Sequence, residues 1–266
     1  MNPLISSLVP FPSFADPWAL DAESRLQVEG ALREFCRGAG GDVAVDLRVE
    51  QGDVGQEIVR CAESLPADMV VLGTHGLSGF DRWVLGSIAV KVVRTSPVPV
   101  LTIAPPGDRS FVPTTRFQRL LCPIDLSPAS REALRWSALL AQPNQARVTA
   151  LHVVDWRPDL NAPHEADSDP AAYRRHLQHE ARQRVQAAVA EVEGLEAAAD
   201  VVVCQGRSPE EILRFAGHVG SDLIVMGVHG SATHRLFFGS TAHRVVRESS
   251  CPVLTVRTPP GATSNG

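Results

Sequence analysis

Apolar positions along this chain come in two kinds, and the order of the kinds repeats. Short continuous runs at 69–72, 98–103, 119–124, 148–154, 200–204 and 251–256 have the length and β-branched content of buried strands. Between them lie longer stretches with apolar residues at helical spacing. The first is 18–36, through Leu20, Leu26, Val28, Ala31, Leu32 and Phe35, with a Gly-rich stop at 38–41. Others follow Gly52 (Ile58, Val59, Ala62, Leu65), Ser87 (Val90, Val92, Val93), Ser127-Pro128, and Pro170. At Ser127-Pro128 a serine N-cap precedes a proline at the first helical position. Residues 42–49 alternate apolar and polar positions as a strand does, residues 1–17 are interrupted by prolines, and 104–116 reads as a linker. Strands alternating with helices predict a parallel sheet with helices on both faces.

The repetition extends to residue identity. Gly52, Glu57, Ile58, Asp68, Gly73, His75 and Gly76 recur as Gly206, Glu211, Ile212, Asp222, Gly227, His229 and Gly230, all 154 positions later. Beyond the glycine loop the offset becomes 153: Arg82, Gly86, Ser87, Val92, Val93 and Arg94 match Arg235, Gly239, Ser240, Val245, Val246 and Arg247, and Pro99–Thr102 matches Pro252–Thr255. The chain is an internal duplication with one residue lost from the second loop.

Each copy places a glycine-rich loop between an apolar strand and an amphipathic helix. In the first, Gly73, Gly76, Gly86 and Ser87 form G-x2-G-x9-G-S. Glycines let a backbone approach an anion, and the free N–H groups at a helix start, with the Ser87 hydroxyl, make a phosphate cradle. The spacing is neither a Walker loop nor the G-x-G-x-x-G of dinucleotide folds. Any single glycine here is better accounted for as a turn, while the spaced set favours phosphate.

With that motif in place, the sequence resembles tandem universal stress proteins, whose nucleotide-binding members carry G-x2-G-x9-G-[S/T] after the fourth strand. LLCPIDLSPAS at 120–130, LHVVD at 151–155, QGRSPEEI at 205–212 and CPVLTV at 251–256 fall in family order. The resemblance implies two doubly wound α/β domains, 1–107 and 117–258, each with strand order 3-2-1-4-5 and its ligand at the carboxyl ends of the strands. It implies an ATP-binding regulatory protein of the stress response, with Mg accompanying the nucleotide. Asp125 is expected to face the ribose and Val153 the adenine. Gly206 is expected to admit the ribose, unless it serves only as a turn. Gly227, Gly230, Gly239, Ser240 and Thr241 are expected around the phosphates. The family also joins two domains through their last strands, so 98–103 and 251–256, apolar edge strands otherwise, are expected to pair with each other or with a second chain.

Both copies depart from the pattern. The strand at 119–124, its helix and the strand at 148–154 map, by the 153 offset, to positions before residue 1, so the first copy is expected to lack its first two strands. A late start and a degraded first domain account for this equally. Without that wall, Gly73, Gly76, Gly86 and Ser87 form a degenerate phosphate loop, not expected to hold ATP alone. In the second copy only eight residues, SATHRLFF, separate Gly230 from Gly239, against nine between Gly76 and Gly86, which predicts a weakened cradle. These departures favour the alternative reading, a nucleotide-free dimerisation or interaction module of the same fold.

Composition narrows the remaining classes. A net charge of −5 supplies no basic footprint for nucleic acid. The five cysteines, Cys36, Cys61, Cys122, Cys204 and Cys251, are odd in number and mostly inside apolar runs, as in a reduced cytoplasmic protein. The first twenty residues contain no Lys or Arg and several prolines, unlike a signal peptide, and no apolar run approaches the ~20 residues that span a bilayer. His75 and His229 read as loop geometry, and His234 and His243 lack metal-ligand partners. No nucleophile sits on a recognisable elbow, and no base or lysine clamp is evident, so at most slow ATP hydrolysis is expected of an otherwise non-enzymatic protein.

Overall fold

The computed structural model describes residues 22–37, 44–74, 86–104, 116–155, 170–228 and 238–258. The chain divides into two compact units, Met1–Glu57 and Ile58–Gly266.

In the smaller unit, α1 (Ala22–Cys36) buries none of its residues, and Phe35 is 83% exposed. Residues 18–21 of the expected helix lie outside the described residues. Residues 44–50 belong to no strand, which corrects the strand expected at 42–49. A strand is held by its neighbours' backbone groups, and among the described residues none pairs with this segment. The Val49 carbonyl accepts instead from Arg25 Nη2 at 2.7 Å. At Gly52, φ is +141°, and Asp53 Oδ1 accepts from Gln56 N at 2.9 Å to open α2 (Val54–Ser64).

The larger unit is built on a seven-stranded sheet in the order β1-β2-β7-β6-β3-β4-β5. From the first copy come β1 (Val70–Gly73), α3 (Ser87–Thr95) and β2 (Val100–Ile103). From the second come β3 (Arg119–Pro123), α4 (Pro128–Ala141), β4 (Arg147–Val154), α5 (Pro170–Ala190), β5 (Ala199–Gln205), α6 (Ser208–Val219), β6 (Leu223–Gly227), α7 (Ser240–Glu248) and β7 (Val253–Val256). Counted within the second copy, β5-β4-β3-β6-β7 is the order 3-2-1-4-5. Every pairing is parallel except β2 with β7.

Alternation along the strands sends side chains to two cores. Leu120, Cys122, Val148, Leu223, Val225 and Leu254 pack under α4 and α5 with Leu134 and Val185, all at 0–1% exposure. Leu121, Leu151, Ile224 and Val253 face the opposite way, against Ile212 and Ala216 of α6 and Val245 and Val246 of α7. The start of β3 is set by Asp222, whose carboxylate accepts from Gln118 N (2.8 Å) and Arg119 N (3.0 Å).

The last strands of the two copies pair antiparallel, with Val100 opposite Thr255, Leu101 opposite Leu254 and Thr102 opposite Val253. The junction is reciprocal: Thr102 Oγ1 donates to Val253 O at 3.0 Å and Thr255 Oγ1 to Val100 O at 3.1 Å. Apolar packing crosses it too. Ala89 of α3 joins the α6–α7 core, and Val228 joins Val92, Val93 and Val100. Burial leaves the two hydroxyls no solvent partner, so each Thr→Val change is expected to cost about 1 kcal/mol in urea unfolding, equally at Thr102 and Thr255.

All five cysteines are free thiols. Complete burial pushes the Cys122 thiol up to about 12, against a lesser opposing contribution from a hydrogen bond with Ser137. A raised acid favours folding while it stays protonated, so this contribution is intact below the unfolded value near ~8.5 and lost as pH rises towards the folded one. Between pH 9 and 11, Cys122→Ala is expected to lose stability about 1.4 kcal/mol per pH unit less steeply than the native chain, measured by denaturant titration.

Candidate functional site

The sheet order reverses between β3 and β6, because β3 continues through α4 to β4 on one side while β6 continues through α7 to β7 on the other. Crossovers leaving in opposite directions open a crevice beyond the strands' carboxyl ends. A cavity of about 230 Å³ occupies it, lined by the ends of β3, β4 and β6 and the starts of α4, α6 and α7.

The cavity brings together Asp125, Val153, Gly227, Gly239, Ser240 and Thr241 of the residues expected from sequence. Asp125 follows β3, and its Oδ1 accepts from Ser127 N at 3.0 Å, so the same carboxylate borders the cavity and shapes the turn into α4. Between them Leu126 adopts φ +65°, an uncommon left-handed conformation for a residue with a branched side chain. The apolar wall is Leu151, Val153, Ile212 and Met226.

Three helix starts meet here, and they differ. At α4 the Ser127 hydroxyl accepts from Ser130 N at 3.2 Å, with Pro128 in the first turn. At α6 the first turn carries Glu210 and Glu211. At α7 neither a side-chain cap nor an acidic residue is present. Gly239 N is engaged by Val228 O at 3.1 Å, which leaves the α7 opening to the N–H groups of Ser240, Thr241 and Ala242. This is the start with the positive end of the helix dipole uncompensated by its own residues.

The structure also explains the recurring glycines. A Cβ on Gly239 would sit 3.1 Å from Val228 O, and one on Gly86 would sit 3.1 Å from Thr74 O, whose carbonyl accepts from Gly86 N at 2.9 Å. Both glycines therefore close their loops by close backbone approach. At Gly227 a Cβ would fall 2.8 Å from the Ala129 carbonyl carbon, so strand and helix touch there.

Gly206 does not line the cavity. Its φ is +148°, and Glu211 lies over it, with Glu211 Cγ 2.7 Å from where a Cβ would stand. Arg214 Nη2 holds that carboxylate at 2.6 Å. Gly52 and Glu57 repeat the arrangement in the first copy, with φ +141° and 3.1 Å. Gly73, Gly86 and Ser87 stand at the end of β1 and the start of α3 and are not among the lining residues. Gly76, Gly230, His75, His229 and His234 lie outside the described residues. Sequence reading missed Ser130, Leu151, Ser208, Ile212 and Met226. The signal for Ser208 and Ile212 was their i, i+4 spacing after Gly206, and for Ser130 its place three residues after the cap.

With this fold the comparisons with known proteins agree. The sequence model of the Universal stress protein family matches residues 4–104 and 116–257. The chain belongs to the universal stress protein family. A universal stress protein of Methanocaldococcus jannaschii is 30% identical over 144 residues, covering 54% of this chain and 84% of that protein. One from Mycobacterium bovis is 25% identical over 250 residues, covering 94% and 81%. The crystal structure of a universal stress protein from Archaeoglobus fulgidus superposes with a TM-score of 0.60 at 23% identity, over 89% of this chain and 78% of that one, and so shares the fold. No helix among the described residues is long and apolar enough to cross a membrane.

Gly227→Ala tests how tightly the universal stress fold packs here. The added methyl forces α4 away from β6, and an overpacking cost of about 1–3 kcal/mol is expected in urea unfolding.

Proposed function

We propose that this universal stress protein is a cytoplasmic regulatory protein that holds ATP in the second repeat, at the cavity between β3 and β6. The observation that carries the reading is the uncapped start of α7 in the same cavity as Asp125 and an apolar wall. The N–H groups of Ser240, Thr241 and Ala242, with the Ser240 and Thr241 hydroxyls, suit phosphate oxygens. Asp125 suits ribose hydroxyls as a hydrogen-bond acceptor, and Val153 with Ile212 suits the purine face. At about 230 Å³ the space is smaller than the ~300–1,000 Å³ of many ligand pockets, in keeping with a buried nucleoside and phosphates running out over α7. The described residues contain no group of three His, Cys, Asp or Glu placed to hold a metal, so Mg would arrive bound to the phosphates. Residues 1–107 and 117–258 are read as two domains, the second carrying the nucleotide.

The competing reading is a nucleotide-free interaction module, favoured by the loop of eight residues where the first copy has nine. Calorimetric titration with ATP separates the two. Asp125→Asn keeps an acceptor for Ser127 N while removing the charge, and its loss of a charge-assisted bond is expected to weaken ATP by about 1.5–3 kcal/mol, roughly ten-fold or more. Unchanged affinity would remove Asp125 from the site. No measurable ATP binding by the native chain would favour the interaction module.

A further inference from the structure

Among the described residues, Asp125 is the one charged side chain lining the cavity, and the chain fixes its place from both sides. Downstream, Leu126 takes φ +65° and Ser127 N donates to Asp125 Oδ1 at 3.0 Å, in the turn into α4. The upstream side is different in kind. β3 ends at Pro123, opposite Leu151 of β4, yet the next residue is still held by β4. Ile124 N donates to Leu151 O at 2.8 Å, and Ile124 O lies 2.7 Å from Nδ1 of His152. A carbonyl oxygen has no proton to give, so Nδ1 carries one and donates it.

His152 does not itself reach the cavity. Its neighbours Leu151 and Val153 line the wall, whereas His152, half-buried, is not among the lining residues, as alternation along β4 requires. What the ring holds is a peptide group. The Ile124 carbonyl belongs to the planar unit whose nitrogen is that of Asp125, so fixing that oxygen fixes the plane from which the Asp125 Cα departs. With the N–H and the C=O of Ile124 both bonded to β4, the root of the Asp125 side chain is tied to the strand beside it.

We propose that His152 is a positioning residue of the nucleotide site: holding the Ile124 carbonyl from the opposite face of β4, its ring aims the Asp125 carboxylate at the ribose hydroxyls. The inference rests on the ATP reading above and adds a residue to it. A binding group must be kept within about 0.5 Å of its productive place, and hydrogen bonds from supporting side chains do this. Without the ring the Ile124 carbonyl loses its donor and the peptide is free to turn. The carboxylate then leaves the ribose, while the phosphate contacts at Ser240 and Thr241, carried on α7, stay as they were.

The test compares two ligands across variants of the full-length protein. His152→Leu keeps much of the bulk of the ring without its donor, and His152→Asn returns an amide N–H at about the reach of Nδ1. Each is titrated calorimetrically with ATP and with dideoxy-ATP, which lacks both ribose hydroxyls. The native chain is expected to favour ATP by roughly ten-fold or more, the worth of one charge-assisted bond. His152→Leu is expected to lose most of that preference by weakening ATP alone, and His152→Asn to restore it. A residue that only supported the fold would lower the melting temperature, or both affinities together, and leave the ratio unchanged. A preference that His152→Leu keeps in full therefore overturns the role of His152 and leaves the ATP site standing. No ATP binding by the native chain overturns the site itself, and no preference for ATP over the dideoxy form overturns the Asp125 contact, each taking this inference with it. Should His152→Leu not fold, His152→Thr, a strand former too short to reach the carbonyl, carries the same ratio.

Discussion

The antiparallel pairing of β2 with β7 is the constraint on which the larger unit depends. Each strand closes one repeat, and each would otherwise present an apolar edge to solvent. Joined, they merge the strands of both repeats into one sheet and bury two threonines that exchange hydrogen bonds with the opposite backbone. Side chains follow the backbone: Ala89 enters the core of α6 and α7, and Val228 enters that of α3. The first repeat, whose described strands in the sheet are β1 and β2, thereby draws on a core that the second repeat supplies.

The same duplication sets its two glycine loops in different surroundings. Around Gly227 and Gly239 the ends of β3 and β4 raise a wall with Asp125 and Val153, and the α7 start opens into the crevice they form. Around Gly73 and Gly86 no such strands stand among the described residues, although the loop is closed in the same way, by the glycine N–H on the carbonyl after the strand. A helix start attracts anions weakly in open solvent, where charges are screened, and more strongly in a crevice of low dielectric. The described strands around them, rather than the glycine motif, distinguish the two loops.

Sequence by itself determined the elements, their order and the duplication, since the 2.0 and 3.6 periods of burial and the 154 and 153 offsets are properties of residue order. It also singled out Asp125, Val153, Gly227, Gly239, Ser240 and Thr241, which one cavity brings together, because local turns and caps tie each to a strand end or helix start. Only the tertiary structure decided what depends on a distant neighbour. Residues 42–49 have the alternation of a strand, but a ladder needs a second chain segment that alternation cannot supply, and 44–50 belong to no strand. That Glu211 packs over Gly206 is likewise seen only in the fold. The role of Asp222 is visible only once β3 lies beside β6, and Ser130, Leu151 and Met226 face the cavity only because three crossovers bring their elements to one crevice. Periodicity records which side of an element is buried, and the contacts made by that side are fixed by packing across the whole sheet.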